Sequence, residues 1–204
     1  MQEKEVINIL QSQLNFSTKS ISNLKTFANE LLKANREHNF IAKSTEADIW
    51  HRHILDSAQL VKYIDFKKGS LSDLGSGAGF PGLVLSIYNN NEDFHVKLYE
   101  KSPVKRSFLN NVSKKLSLKV KICENVYAKT IESDYVVSRA FKKMESIIQV
   151  SREIVQKSHK LIVLKGQNAQ EDLEKAFKKK KYAYKLEQSM TNEHSKIIII
   201  DFKK

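Results

Sequence analysis

Eleven residues, Ser72-Asp73-Leu74-Gly75-Ser76-Gly77-Ala78-Gly79-Phe80-Pro81-Gly82, hold four of the six glycines in a chain of 204 residues. A short apolar run precedes them and a helix-like pattern follows. Strand, tight glycine turn and helix N-terminus is the order in which a backbone can come close to a ligand. This stretch therefore commits the chain to an α/β design with a binding site at the end of its first strand.

The rest of the sequence supports that design. From residue 70, short apolar runs alternate with amphipathic stretches, predicting strands near 70–74, 95–99, 119–123, 134–138 and 159–164. Helices are expected at about 81–89, 103–117, 142–156 and 168–180. Pro81 and Pro103 stand at helix starts, and Ser102 suits the cap of the second. Asn168-x-x-Glu171 is a variant capping box. The runs 182–188 and 196–202, the latter nearly all isoleucine, suggest a closing antiparallel pair. This alternation predicts a doubly wound α/β sheet with its ligand at the carboxyl ends of the strands.

No strand is expected before residue 70. Residues 5–14 and 20–34 read as helices, with Ile21, Leu24, Phe27, Ala28 and Leu31 on one face. A loop covers 35–43. Thr45-Glu46-Ala47-Asp48 resembles a helix start, and that helix would run to about Tyr63. The expected organisation is a helical extension, 1–68, followed by a Rossmann-like domain, 69–204.

Composition narrows the function. A single cysteine, Cys123, rules out an intrachain disulfide and a cysteine-based metal cluster, and its apolar run predicts burial. The histidines show no metal-ligand spacing, so no metal is expected. No apolar run approaches the ~20 residues of a membrane span, and no signal-peptide core is seen, so a cytoplasmic protein is expected. The net charge of +12 favours a polyanionic partner. Lys101, Lys105, Arg106, Lys114, Lys115, Lys119 and Lys121 occur with no acid between them, and Lys178 to Lys181 is an unbroken run. Such groups bind phosphate without reading sequence. A solvated basic surface is the alternative.

The glycine turn selects among ligands. A dinucleotide fingerprint wants glycine where Phe80 stands, and the Gly-Lys-Ser/Thr of a P-loop is missing. Asp73-x-Gly75-x-Gly77-x-Gly79 after a first strand is instead the loop of S-adenosylmethionine (SAM) methyltransferases. Glu100 ends the second strand, where an acid can accept both hydroxyls of a ribose. An ion pair with Lys101 or Arg106 is its other reading. Asp73 either orients the ligand or caps the turn. Arg139 and Lys165 end the fourth and fifth strands on the same edge. Arg139 would meet SAM or a target nucleotide, or form an ion pair at the sheet edge; Lys165 would meet phosphate. His53 and Asp56, at i and i+3, either face the pocket or bond within the extension. Trp50 reads as core.

Several of these segments, taken in order, resemble the bacterial ribosomal RNA small-subunit methyltransferase G family, also called glucose-inhibited division protein B. They are Asp73–Gly82, Arg52-His53-Ile54-Leu55-Asp56-Ser57, Glu100-Lys101-Ser102-x-x-Lys105-Arg106-x-Phe108-Leu109, Ser138-Arg139-Ala140-Phe141 and Leu164-Lys165-Gly166. Asn39-Phe40-Ile41-Ala42 is similar to the family's Asn-Leu-Thr segment, with departures at the second and third positions. The resemblance covers roughly residues 20–200.

It implies a class I SAM-dependent fold with a seven-stranded, mostly parallel sheet. It also implies methylation of N7 of a guanine in the 530 loop of 16S ribosomal RNA. The implied partner is that RNA or the small ribosomal subunit, met by a monomer away from membranes. Cofactor contacts carry over to Gly75, Phe80, Val126, Tyr127 and Arg139, beside the loop's own Asp73, Gly77, Gly79 and Glu100. Tyr127 departs from the acidic or polar residue of many relatives, so the implied contact there is through backbone. Guanine N7 already carries a lone pair, so no acid or base is assigned; Arg139, Lys165 and His53 are positioning candidates. A noncatalytic RNA-binding protein on the same fold is one alternative. An NAD(P)-dependent oxidoreductase is disfavoured by Phe80 and by the absence of a Tyr-x-x-x-Lys pattern.

Overall fold

A computed structural model describes residues 1–127, 130–139, 143–177 and 182–204. The Lys178–Lys181 run and the Ala140-Phe141 part of the fourth motif lie outside them. Seven strands form one sheet: β1 (Gly69–Leu74), β2 (Phe94–Tyr99), β3 (Val120–Cys123), β4 (Tyr135–Arg139), β5 (His159–Lys165), β6 (Tyr184–Gln188) and β7 (Lys196–Phe202). Their order is β3-β2-β1-β4-β5-β7-β6. β1 to β5 run parallel, and β7 is antiparallel to both β5 and β6. The order reverses between β1 and β4, so the ends of those strands form the switch point where ligands bind.

Each face of the sheet has its own packing. Leu71, Val96, Leu98, Val137, Ile162 and Ile199 point to one side, into a core that includes residues of α4 (Gly82–Tyr88) and α5 (Pro103–Lys115). The same core takes in α1 (Glu3–Ser12) and α2 (Thr18–Asn35) through Val6, Leu10, Leu24, Phe27 and Leu31. Leu74, Val136, Leu161, Val163, Ile198 and Ile200 point to the other side, against α6 (Met144–Glu153) and α7 (Ala169–Ala176). Burying a side chain such as Phe27 stabilises by about 1.5–3 kcal/mol, so the extension and the sheet share one cohesive interior.

Local signals succeed unevenly. Ser102 caps α5 by accepting from Lys105 N at 3.4 Å, with Pro103 at the first helical position. Pro81, by contrast, is the cap of α4 and not its first residue. Asn168 makes no side-chain cap to α7; its backbone already lies at φ −89°, ψ 18°, outside the extended form in which a side chain reaches back. Cys123 is only partly buried, because β3 is the edge strand.

The largest difference is at residues 43–63. Thr45 caps nothing: it sits in a 3-10 turn, Lys43–Thr45, and its hydroxyl donates to Ala42 O at 2.8 Å. The single expected helix is a composite. It opens as a π-helix (Trp50–Leu55), passes through one α turn, α3 (Asp56–Ala58), and closes as a 3-10 helix (Gln59–Tyr63). π turns of this kind concentrate at functional sites. Trp50 is buried in the core, as expected.

Candidate active site

The glycine turn is clamped from both sides. Gly75 N and Ser76 N both donate to Tyr99 O at 2.9 Å, which fastens the turn to the end of β2. Gly79 N and Phe80 N close on Ser76 O at 2.7 and 3.0 Å. Gly75, Gly77 and Gly79 have φ of 76°, 56° and 108°, a region other residues occupy at a cost.

The glycines serve different purposes. A Cβ on Gly77 would meet nothing nearer than Gly75 O at 3.9 Å, so the space above it is open. One on Gly79 would press Leu83 Cβ at 3.0 Å and Phe27 Cζ at 3.2 Å, and one on Gly82 would strike Leu98 Cδ2 at 2.4 Å and Asp73 Oδ2 at 2.6 Å. Gly79 and Gly82 seat the turn and α4 on the core, whereas Gly77 leaves room for something outside the protein.

That room is a cleft of about 560 Å³. Gly75, Gly77, Phe80, Glu100, Tyr127 and Arg139 line it, with Val126 beside Tyr127 and Phe40-Ile41 opposite. Asp73, Gly79, His53 and Lys165 do not. Glu100 is buried, its Oε2 accepting from Gly77 N at 2.9 Å and its Oε1 from Ser102 N at 2.8 Å. Neither Lys101 nor Arg106 forms the alternative ion pair with it. Arg106 donates to the carbonyls of Glu100 and Lys101 at 3.0 and 2.7 Å and pairs with Glu124 at 3.4 Å. A carboxylate has about four acceptor sites, so Glu100 can still receive two hydroxyls. An open backbone cradle beside a buried carboxylate that forms no ion pair among the described residues fits the adenosine of SAM.

Asp73 lies beneath the turn, fully buried, with Oδ2 accepting from Gly82 N at 2.9 Å and Oδ1 without a hydrogen-bond partner among the described residues. Burial pushes its pKa up to about 7, against the pull of its hydrogen bonds.

Arg139 is where the elements converge. Its Nη1 donates to Arg52 O at 3.1 Å and pairs with Asp56 Oδ2 at 3.4 Å. Its Nη2 donates to His53 Nδ1 at 2.7 Å. The guanidinium lies 5.0 Å above the Phe80 ring, and His53 stacks on that ring at 5.1 Å. The expected His53–Asp56 face therefore exists, and it faces Arg139.

Because a guanidinium has no acceptor, His53 Nδ1 must accept, and its proton sits on Nε2. Nε2 then donates to Thr45 Oγ1 at 2.9 Å, and Thr45 donates onward to Ala42 O. Burial, then the charges of Arg139 and Arg52, push the His53 pKa down to about 3, so this relay holds at neutral pH.

Asn35 carried no sequence signal, and Phe80 has a packing role beside the one its position predicts. Asn35 is buried at the end of α2; its Oδ1 accepts from Phe40 N and Ile41 N at 2.8 and 2.9 Å, and its Nδ2 donates to Ile41 O at 3.1 Å. It thereby fixes the two residues that wall the cleft. Phe80 packs 5.2 Å from Phe27 of α2, so the residue that breaks the dinucleotide fingerprint docks the turn on the extension.

On the far side of Arg139 lies a second pocket of about 300 Å³, lined by Asp56, Arg139, Leu164, Lys165, Gly166 and Ser195. Lys165 is tied to Asp172 at 2.6 Å, a partner not foreseen. Asp56 Oδ1 accepts from Thr191 Oγ1 at 2.8 Å, and Gln59 receives Met190 N at 2.8 Å and donates to Ser189 Oγ at 3.1 Å. The extension is thus bonded to the β6–β7 turn. Among the described residues there is no metal-binding cluster of histidine, cysteine and acidic side chains, and no helix long and apolar enough to cross a membrane.

Sheet order, one reversed strand and a glycine turn at the switch point define a class I SAM-dependent methyltransferase. The fold matches a SAM-dependent methyltransferase from Aquifex aeolicus with a TM-score of 0.56 and 13% identity, covering 85% of this chain and 97% of that one. It also matches M. jannaschii TYW2, solved in complex with AdoMet, with a TM-score of 0.53 and 16% identity over 73% and 74% of the two chains.

The sequence is more particular. Residues 20–199 match the family described as rRNA small subunit methyltransferase G. Curated relatives named ribosomal RNA small subunit methyltransferase G include one from Pelagibacter ubique, 32% identical over 94% of this chain and 92% of its own. Another, from Rickettsia felis, is 36% identical over 87% of this chain and 91% of its own. The chain belongs to this family.

Proposed function

We propose that the protein methylates N7 of a guanine in the 530 loop of 16S ribosomal RNA, acting as a monomer in the cytoplasm. The observation that carries this reading is the placement of Arg139, which forms the common wall of the donor cleft and the second pocket. A donor on one side and an acceptor base on the other meet at that wall.

Bound SAM supplies an electrophilic methyl group on a sulfonium. Gly75 and Gly77 give it backbone room, Glu100 would hold the ribose, and Val126 and Tyr127 would flank the adenine. Asp73 and Gly79 act from beneath by fixing the turn, while Phe80 lines the cleft and docks the turn on α2. Guanine N7 presents an in-plane lone pair at neutral pH, so no residue has to remove a proton. What the chain must provide is placement within near-attack distance.

Arg139, held by His53 and Asp56, would orient the base, and Lys165 would meet its phosphate. The purine becomes cationic on methylation, and the Asp56 carboxylate and the Phe80 ring stand nearby to favour that charge. Residues 1–68 serve as the extension that builds the acceptor side.

The test is mapping of methylated guanine, by primer extension after N7-specific cleavage, on naked 16S RNA, small subunits and whole ribosomes incubated with the protein and SAM. One modified guanine in the 530 loop is expected. Modification elsewhere, or none on any substrate despite calorimetric SAM binding, would overturn the reading.

A further inference from the structure

The carboxyl edge is not the only part of the sheet that faces solvent through a shaped surface. On the face that carries Leu74 and Tyr99, α6 and α7 cover the β4–β5–β7 side. The first half of β1, β2 and β3 on that same face forms a concavity of about 480 Å³, lined by strand and loop residues alone. Period-two alternation directs Ser70, His95, Lys97 and Lys121 toward it. A layered α/β sheet ordinarily presents apolar side chains to a helix here. This chain presents His95, Lys97 and Lys121.

The charges are close and unequal. Lys97 and Lys121 are direct register neighbours on adjacent strands, about 5 Å apart at the backbone. Like charges so placed repel. Among the described residues neither has an acidic partner. Lys119 and Lys157 add to the rim, each already paired, with Glu92 and Asp134 at 2.8 Å. Glu132 is the one acid in the lining. Lys97 stands three residues before Glu100 on β2, roughly 10 Å along the strand from the donor cleft. A concave, cation-rich surface at that distance suits a chain of phosphates.

We infer that this face of β1–β3 is a second RNA-binding surface, at which Lys97 and Lys121 hold the phosphodiester backbone of the substrate away from the methylated base. This rests on the reading of the substrate as RNA. It adds a place of contact outside the two pockets and predicts affinity without sequence reading.

The experiment compares the full chain with Lys97→Gln/Lys121→Gln and with a control of equal charge loss, Lys4→Gln/Lys185→Gln. Lys185 lies on β6, at the opposite edge of the sheet. Affinity for a 530-loop RNA fragment is measured across a salt series, together with SAM affinity, melting temperature and methylation kinetics. The double variant should bind RNA about tenfold more weakly at low salt, with a slope of log K against log salt shallower by about 1.5. Its KM should rise while kcat, SAM affinity and melting hold, and the control should match the parent.

An unchanged slope and KM, in a parent that binds and methylates RNA, would overturn this surface alone. A parent that binds SAM but neither binds nor methylates RNA would overturn the substrate reading and this inference with it. Naked RNA unaffected while small-subunit methylation fails would assign the face to a protein of the subunit, and would also overturn the RNA contact.

Discussion

The glycine turn and the segment from Asn35 to Asp56 border the same arginine, yet they are built differently. The turn is mostly a local object: its positive φ angles, its closure of Gly79 and Phe80 on Ser76 and its seat on α4 lie within consecutive residues, while Tyr99 and Glu100 clamp it from outside. The segment is assembled from a distance, by Asn35 reaching forward to Phe40 and by Arg139 reaching back to Arg52, His53 and Asp56. The difference teaches that the turn is specified by backbone, and the wall around Arg139 by side-chain chemistry spread along the chain.

Substitutions can separate the two. The largest effect should come from Gly77→Val. Nothing packs against that position, so the fold bears only about 1–2 kcal/mol of backbone strain, while the side chain stands in the cleft. SAM affinity should fall about a thousandfold with a melting shift of a few degrees; calorimetry showing intact affinity would remove the turn from the site. Arg139→Ala comes next. Methylation should drop about 100-fold while SAM affinity changes by a few fold. Arg139→Lys should not restore it, because one ammonium cannot serve Asp56 and His53 in the same fork. Steady-state kinetics showing the lysine variant fully active would break the convergence argument. Gly82→Ala tests the packing glycine: its methyl overlaps Leu98 and Asp73, so about 2 kcal/mol of stability should be lost in denaturant titration. No loss would mean that α4 can shift freely.

The smallest effect is on pH dependence, and there the two regions have opposite signs. His53 stays neutral down to about 3, against an ordinary 6.5. Between those values the unfolded chain binds the extra proton, so full stability is present above 6.5 and is lost as pH falls. Asp73 holds its proton up to about 7, against an ordinary 3.8. The folded chain has the extra proton in that window, so its contribution is present below 3.8 and lost as pH rises through 7. The slopes oppose each other. His53→Gln should expose the falling slope and Asp73→Asn the rising one, each by at most ~1.4 kcal/mol per pH unit. Urea titrations at several pH values that give parallel curves for all three proteins would refute both shifts.

How much could be read in advance follows the same division. The glycine spacing, the Ser102-Pro103 cap and the strand alternation are contiguous patterns whose physics is local, and each predicted its element. The antiparallel closing pair was legible for the same reason. Thr45 was misread because an acceptor hydroxyl near acids looks like a cap until a histidine eight residues on claims it. The π-helix at Trp50–Leu55 has no distinct period in so short a run. Asn35 looked like the end of a pattern, and Asp172 drew no reading of its own, because their partners are set only by the folded chain.

The bonds from Asp56 and Gln59 to the β6–β7 turn span 130 to 135 residues of sequence. A chain made from its amino end forms the glycine turn early in synthesis, but these anchors wait until Ser189 to Thr191 leave the exit tunnel. Donor affinity can therefore arise on a nascent chain well before the acceptor side is complete. Termination between β5 and the last hairpin would yield a product that carries every residue of the donor cleft and lacks the anchors of the acceptor side.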